Sequence, residues 1–115
     1  MENKKDIEEL NTTTYWEGRI VVTTKGTLSS TKEVTATLDG DEKKQVSGYG
    51  LADTIGRLVI AFLSIDKATF LGGRITVNVG SKKVIATLDG DDKKQKRGGS
   101  DTEAIGRLVI AFFKR

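Results

Sequence analysis

Apolar and polar residues alternate along four segments of the chain, and the four segments form two similar pairs. The first pair, Arg19–Thr24 and Lys32–Leu38, is rich in β-branched residues, and Arg74–Val79 and Lys82–Leu88 repeat its pattern. Alternation with a period of two predicts β-strands that have one buried face. The short Gly80-Ser81-Lys82 connection in the second pair is typical of a hairpin turn. We therefore expect two antiparallel strand pairs.

A helical period follows each strand pair. In the second copy the i, i+3, i+4 and i+7 positions of one helix face are Ile105, Leu108, Val109 and Phe112. The pattern predicts helices over Leu51–Ser64 and Asp101–Lys114. Ser100 and Glu103 have the spacing of a capping box at the start of the second helix. The apolar run 58–63 also permits a buried strand, and the sequence leaves that alternative open.

The repetition of these elements is visible at the level of single residues. Residues 36–63 recur 50 positions later as residues 86–113 without a gap, and 18 of the 28 aligned pairs are identical. The chain is thus one supersecondary unit made twice. The sequence predicts an α+β fold built from a duplicated β-β-α unit. In this fold an antiparallel sheet packs against two helices, and an internal pseudo-twofold relates the two copies.

The length of 115 residues suits one small domain, and one copy alone would bury too little surface to be stable. We expect residues 1–14 to be a flexible polar tail and 15–115 to be a single domain with repeats at 15–64 and 70–115. In the link between the repeats, Phe70 and Leu71 are expected to cap the core.

Composition excludes several kinds of chemistry. The chain has no cysteine and no histidine, so disulfides, the usual zinc sites and Ser-His triads are excluded. We expect no cofactor, no metal and no enzymatic activity. No apolar run reaches the roughly 18–20 residues of a membrane span, which favours a soluble cytoplasmic protein, in the host cytoplasm if the chain is viral. The net charge of +3 permits an anionic partner.

A family resemblance appears in the second copy. The segment Gly98-Gly99-Ser100 to Glu103-Ala104-Ile105-Gly106-Arg107-Leu108 resembles the Gly-Gly…Glu-Ala-Ile-Gly-Arg-Leu signature of the TSCPD domain. That domain occurs at the C-terminus of adenosylcobalamin-dependent ribonucleotide reductases and in small standalone proteins. The resemblance implies a related fold and a nucleotide-handling context. Small duplicated proteins without a catalytic domain are also similar in type to phage proteins that sequester nucleotide immune signals.

The candidate ligand site is the basic, glycine-containing segment before each helix. Glycine lets backbone N–H groups converge, the helix start carries unpaired N–H groups, and basic side chains complete a phosphate site. An arginine in each helix is placed to reach back toward the phosphate. The candidate residues are Lys43, Lys44, Ser47, Gly48, Tyr49, Gly50 and Arg57 in copy one, and Lys93, Lys94, Lys96, Arg97, Gly98, Gly99, Ser100 and Arg107 in copy two.

Each of these features also has a purely structural interpretation. The basic segments are then solvated turns, and Arg57 and Arg107 pair with the acidic residue four positions earlier. Gly56 and Gly106 favour close helix packing over close approach of a ligand. The repeated Asp-Gly-Asp runs favour turns over metal sites, and Trp16 favours a core or interface position over base stacking.

Three functions are consistent with these sequence features. The first is a non-catalytic binding protein for a small phosphate-bearing nucleotide, such as a cyclic dinucleotide, that acts by sequestration or sensing, as a phage-type immune-signal sponge would. The second is a single-stranded nucleic-acid-binding protein. The third is a structural or regulatory assembly module related to ribonucleotide reductase. We also expect a homo-oligomer, because a two-layer domain of this size leaves one sheet face for a partner.

Overall fold

The structure is a computed structural model that describes residues 9–26 and 33–114. The first repeat consists of β1 (Glu9–Tyr15), β2 (Ile20–Gly26), β3 (Glu33–Leu38), β4 (Gln45–Gly48) and helix α1 (Leu51–Phe62). The second repeat consists of β5 (Thr69–Phe70), β6 (Ile75–Val79), β7 (Val84–Leu88), β8 (Gln95–Gly98) and helix α2 (Asp101–Phe112). No helix in these ranges is long and apolar enough to cross a membrane.

The strands form two separate antiparallel sheets, with the orders β1-β2-β3-β4 and β5-β6-β7-β8. The α+β class is confirmed. The expectation of one sheet against two helices is wrong in detail: each repeat forms its own four-stranded sheet with its own helix, so the repeat also has two more strands than the expected β-β-α unit. The additional strands are the outer ones of each sheet. Outer strands have one neighbour and tolerate polar and charged residues, so the hydrophobic pattern does not mark them.

Strand β1 corrects the expectation of a flexible tail over 1–14. Residues 9–15 pair with β2 along its whole length, from Glu9 opposite Gly26 to Tyr15 opposite Ile20. The run Asn11-Thr12-Thr13-Thr14 is polar, but threonine is β-branched and suits a strand with a solvated face. Residues 1–8 of the expected tail lie outside the described residues.

Both helices form where the apolar period predicts them, which decides against a strand at 58–63. Each helix lies on its own sheet, α1 on β3 and β4 and α2 mainly on β7 and β8. The face of α1 that carries Ile55, Leu58 and Val59 is fully buried. Alternate residues of the inner strands meet this face, and the buried residues of both repeats form one hydrophobic core.

The two helices hold the repeats together through their glycines. A methyl group added at Gly56 would overlap the carbonyl of Thr102 and lie 2.7 Å from its Cα. A methyl group added at Gly106 would meet Ala52 in the same way. The two contacts are 50 positions apart and reciprocal, as a twofold axis between antiparallel helices would produce. Helix packing therefore accounts for both glycines.

The C-terminal end of each helix binds the other repeat or the link that leads to it. The N–H of Trp16, after β1, donates to the carbonyl of Phe113 beyond α2 at 2.7 Å. The N–H of Leu71, after β5, donates to the carbonyl of Leu63 beyond α1 at 2.9 Å. Phe70 and Leu71 are buried, as expected for residues that cap the core.

The Asp-Gly runs are turns at the ends of β3 and β7. Asp39 and Gly40 both have positive φ, 54° and 67°, and Asp89 repeats the value of 54°. Arg19 donates to both carboxylate oxygens of Asp39, each at 2.7 Å. Arg74 binds Asp89 in the same bidentate way. These hydrogen bonds hold the pKa of each carboxyl below its usual value. No group of three potential ligands placed to hold a metal occurs in the described part of the chain.

The glycine contacts predict the sign of a stability change. Helix propensity alone would make Gly56→Ala or Gly106→Ala stabilising by about 1 kcal/mol. The clash with the facing backbone reverses this, since neither helix can move without opening the core. We expect the free energy of unfolding to fall by about 3 kcal/mol or more in each variant, as measured by urea denaturation.

Gly99→Ala is the matched control for that experiment. A methyl group at Gly99 would make an ordinary contact, 3.6 Å from Glu103 Oε1. We expect a change within about 0.5 kcal/mol, as at other surface positions. Equal stability of Gly56→Ala and the parent would contradict the close approach of the helices.

The arginine–aspartate pairs predict a loss of stability in acid. The pKa of each aspartate is lower in the folded protein than in the unfolded chain, where it is about 3.9. The ionised carboxylate therefore stabilises the fold at a pH above about 3.9, and this stabilisation disappears as the pH falls through the pKa of the folded state. Asp39→Asn and Asp89→Asn should therefore be less stable than the parent at neutral pH, and the difference should close below about pH 4.

Thermal unfolding between pH 2 and pH 7 measures this convergence. Asp92→Asn serves as the control, because it removes a carboxylate that forms no ion pair in the described structure. A gap between Asp89→Asn and the parent that stayed constant across this range would show that the ion pair is not its cause.

Candidate functional site

The candidate site predicted before each helix is divided by a strand. Lys43 and Lys44 lie in the turn that leads into β4, where the carbonyl of Lys44 accepts a hydrogen bond from the N–H of Leu38 at 2.9 Å. Lys93 and Lys94 occupy the same turn before β8. Four strand residues rising about 3.3 Å each separate these lysines from the helix starts. The lysines and the helix N-termini therefore do not form one loop.

The middle of each predicted loop is edge strand. Ser47 lies in β4 and pairs with Thr35 of β3. Lys96 and Arg97 lie in β8 and pair with Ala86 and Ile85 of β7. The ammonium of Lys96 lies 6.0 Å from the ring centre of Phe112, so this side chain extends along α2. The backbone N–H groups of an extended edge strand are spaced along the strand and do not converge on one phosphate, which corrects the loop interpretation of these segments.

Gly48 and Gly98 allow the edge strand to approach the helix. A methyl group at Gly48 would lie 2.7 Å from Thr54 Oγ1, and one at Gly98 would lie 2.7 Å from the backbone nitrogen of Ala104. Thr54 is fully buried and donates its hydroxyl to the carbonyl of Gly50 at 2.7 Å. Packing explains the recurrence of both glycines.

The start of α2 is closed by its own side chains. Ser100 Oγ accepts from the N–H of Glu103 at 3.3 Å, and Glu103 Oε1 accepts from the N–H of Gly99 at 2.6 Å. Arg107 donates to Glu103 Oε2 and to the carbonyl of Arg97, each at 2.9 Å. The carboxylate of Glu103 thus occupies the position of the predicted phosphate. The predicted cap at Ser100 is present, but the return bond of the capping box comes from the N–H of Gly99 and not from that of Ser100.

The start of α1 carries fewer such contacts. Gly50 has no side chain to cap the helix, and Tyr49 is 72% exposed beside it. Arg57 pairs with Asp53 at 3.1 Å, and Asp53 also accepts from the hydroxyl of Thr102 at 2.6 Å. Of the two predicted positions, the start of α1 is therefore the more accessible to an external anion.

The sequence pattern gave no indication of a cavity where the two repeats meet. This cavity has a volume of about 250 Å³ and lies between the turn after β1, the turn after β5 and the end of α2. We call it the aromatic cavity, and its lining residues are Trp16, Glu17, Arg74, Phe112, Phe113 and Lys114. The chain has one tryptophan, two tyrosines and four phenylalanines, so three of these seven rings line one cavity.

Two cations accompany the rings in the aromatic cavity. Lys114 forms no ion pair with any residue of the described ranges. Arg74 uses Nε and Nη2 for Asp89, which leaves Nη1 outside that pair, and its guanidinium carbon lies 5.1 Å from the ring centre of Phe113. The hydrogen bond to Asp89 raises the pKa of Arg74 above its usual value. The cavity thus places aromatic side chains beside positive charge, and one face of the Trp16 ring is covered by the guanidinium of Arg19, 4.0 Å from the ring centre.

A second cavity, of about 570 Å³, lies between the end of α1 and the start of α2. Its lining residues are Ile60, Ser64, Asp66, Lys67, Phe70 and Asp101. The N–H of Ala68 donates to Asp66, and this hydrogen bond lowers the pKa of the carboxyl. Two carboxylates against one lysine make the larger cavity unfavourable for an anion.

The residues of the aromatic cavity are spread over three segments of the sequence. Trp16, Arg74 and Phe113 are far apart in the chain, and no spacing rule joins them. Trp16 does have the interface position that was favoured for it. No family model, curated protein or solved structure matches this chain. The TSCPD resemblance therefore stays a prediction based on its motif.

The side-chain cap at the start of α2 should contribute to the free energy of unfolding, so removing the cap should destabilise the protein. Ser100→Ala removes a helix cap and should lower the free energy of unfolding by about 1 kcal/mol. At the corresponding position of α1, Gly50→Ser adds a cap and should raise it by a few tenths, roughly 0.3 kcal/mol. Chemical denaturation of both variants tests this, and a destabilising Gly50→Ser would show that α1 is already capped.

Proposed function

We propose that this protein binds a small phosphate-bearing nucleotide without catalysing a reaction on it, and that it acts by sequestration or sensing. The observation that carries the proposal is the aromatic cavity, whose lining includes three aromatic and two cationic side chains. A nucleotide has the matching parts, a flat base and an anionic phosphate. Such a ligand would bind where the two repeats meet.

The dimensions and chemistry of the cavity support this ligand class. Pockets that enclose whole drug-sized ligands measure roughly 300–1,000 Å³, so 250 Å³ suits one ring system whose remainder stays outside. Stacking of a base on an aromatic side chain contributes about 1–3 kcal/mol. The ammonium of Lys114 and the Nη1 group of Arg74 are suited to a phosphate at the mouth.

The start of α1 is a second position at which phosphate could bind. Arg57 and the exposed Tyr49 lie there, beside backbone N–H groups that no side chain caps. A ligand with two phosphates, such as a cyclic dinucleotide, would suit a protein with two cationic positions. Asp53 is close to Arg57 and opposes an anion, so we assign the base to the aromatic cavity and treat Arg57 as a separate test.

Cellular role and assembly are part of the proposal. Sequestration of a nucleotide signal, as in a phage-type immune-signal sponge, requires tight binding and no turnover, and it suits a small cytoplasmic protein. We expect the protein to act as a homo-oligomer. Light scattering on the samples used for binding gives the number of chains per assembly, so that ligand stoichiometry can be stated per chain.

Calorimetric titration with mononucleotides and cyclic dinucleotides tests the proposal. Lys114→Ala should weaken binding by about ten- to a hundredfold, the value of one charge-assisted contact. Phe112→Ala should weaken it by about tenfold through lost stacking. Lys67→Ala, which removes an exposed lysine from the other cavity, is the matched control and should bind like the parent.

Each alternative function gives a different result in that experiment. Binding of single-stranded oligonucleotides alone, with an affinity that falls steeply with salt, would replace the proposal with nucleic-acid binding. Affinity lost in Arg57→Ala but kept in Lys114→Ala would move the site to the start of α1. No binding of either ligand would favour a structural or regulatory assembly module related to ribonucleotide reductase.

A further inference from the structure

The two repeats differ most clearly at the aromatic cavity. Trp16-Glu17-Gly18-Arg19 in the first repeat corresponds to Leu71-Gly72-Gly73-Arg74 in the second, and each turn is closed by a hydrogen bond from its arginine N–H to its first residue. The opposite cavity position would contain Leu71 instead of Trp16, Gly72 instead of Glu17 and Ser64 instead of Lys114. It lacks the indole, the carboxylate and the ammonium. The aromatic cavity therefore contains three side chains that the corresponding position of the other repeat lacks.

Glu17 is retained at a backbone position that disfavours it. Its φ is 56°, in the left-handed region, and the next residue, Gly18, has a φ of 84°. A hairpin turn with positive φ at both central positions favours Gly-Gly, Asn-Gly or Asp-Gly. The second repeat follows this rule with Gly72 and Gly73. A glutamate costs stability at such a position, which points to a use for its side chain.

The need to neutralise the charge of Arg74 does not explain why the carboxylate of Glu17 is present. Arg74 already has a bidentate partner in Asp89. Among the influences that raise the pKa of Arg74, the charge of Glu17 is the smallest. Glu17 nevertheless lines the aromatic cavity together with three rings. Its carboxylate is therefore available to whatever the cavity binds.

We propose that Glu17 determines base specificity by accepting hydrogen bonds from a guanine-type base stacked in the aromatic cavity. The inference rests on the proposed nucleotide function. An ionised carboxylate only accepts hydrogen bonds, and the two adjacent N–H donors of guanine match its two oxygens. Uracil places carbonyl oxygens on both sides of its single N–H and would be repelled. Adenine offers its amino group but no second donor beside it.

Guanosine and inosine monophosphates form a matched pair of probes, because they differ by the one amino group that would face Glu17. Calorimetry on the full chain should show about ten- to a hundredfold tighter binding of the guanosine nucleotide, with one ligand per chain. In Glu17→Gln the preference should fall to about threefold or less, because the amide lacks the charge that strengthens both hydrogen bonds.

Glu17→Gly separates recognition from structure. It gives the turn the residue found in the second repeat, so we expect the Tm to rise by about 2–5 °C while the preference for guanosine monophosphate disappears. A variant that is more stable and less selective cannot be explained by damage to the fold. Glu42→Gly, a change at an exposed glutamate in a turn outside the cavity, should leave the preference unchanged.

The possible failures of the two proposals differ. If neither these two nucleotides nor the other mononucleotides and cyclic dinucleotides bind, the proposed function fails. If other nucleotides bind but guanosine monophosphate does not, the role of Glu17 is overturned. If both bind with equal affinity to the parent, or if Glu17→Gln and Glu17→Gly keep the parent's preference, nucleotide binding stands and the role of Glu17 is overturned. Two ligands per chain would likewise overturn the inference, since the opposite position lacks the carboxylate.

Discussion

The contact between the two helices at Gly56 and Gly106 determines how the rest of the molecule is arranged. Each sheet is covered by its own helix, and the sheets do not pair with each other. The repeats therefore meet through helix backbones that approach without intervening side chains. Because this approach sets the spacing between the repeats, it also sets where the end of α2 lies relative to the turn after β1. The aromatic cavity is a consequence of that spacing.

Hydrogen bonds at the helix ends extend the same constraint. The N–H of Trp16 binds the carbonyl of Phe113, and the N–H of Leu71 binds the carbonyl of Leu63, so each helix end is fixed to the turn that joins the first two strands of a sheet. Sequence-distant residues thereby become neighbours. A site that combines Trp16, Arg74 and Lys114 exists only in the docked arrangement, which is why such a site belongs to the whole chain and not to one repeat.

The sequence predicted the parts of the fold that have a strong hydrophobic period. Both helices, the inner strands and the capping box at Ser100 follow from spacing. The sequence pattern does not mark strands β1, β4, β5 and β8, because they are outer strands: β1 is rich in threonine, and β8 contains Lys96 and Arg97. For the same reason, the segment from Lys93 to Ser100 resembles a phosphate-binding loop in sequence. In the structure it consists of a turn, the edge strand β8 and the capped start of α2.

Duplication explains why the sequence pattern drew attention to features that serve folding. Features that serve folding, such as Gly48 and Gly98 against their helices, are copied in both repeats because both repeats must fold. Repetition by itself therefore indicates structure more strongly than binding. The residues that distinguish the aromatic cavity, Trp16, Glu17 and Lys114, have no counterpart in the other repeat. In a duplicated chain, a side chain that differs between the copies and lies at a backbone position that disfavours it, as Glu17 does, is the stronger indication of a ligand.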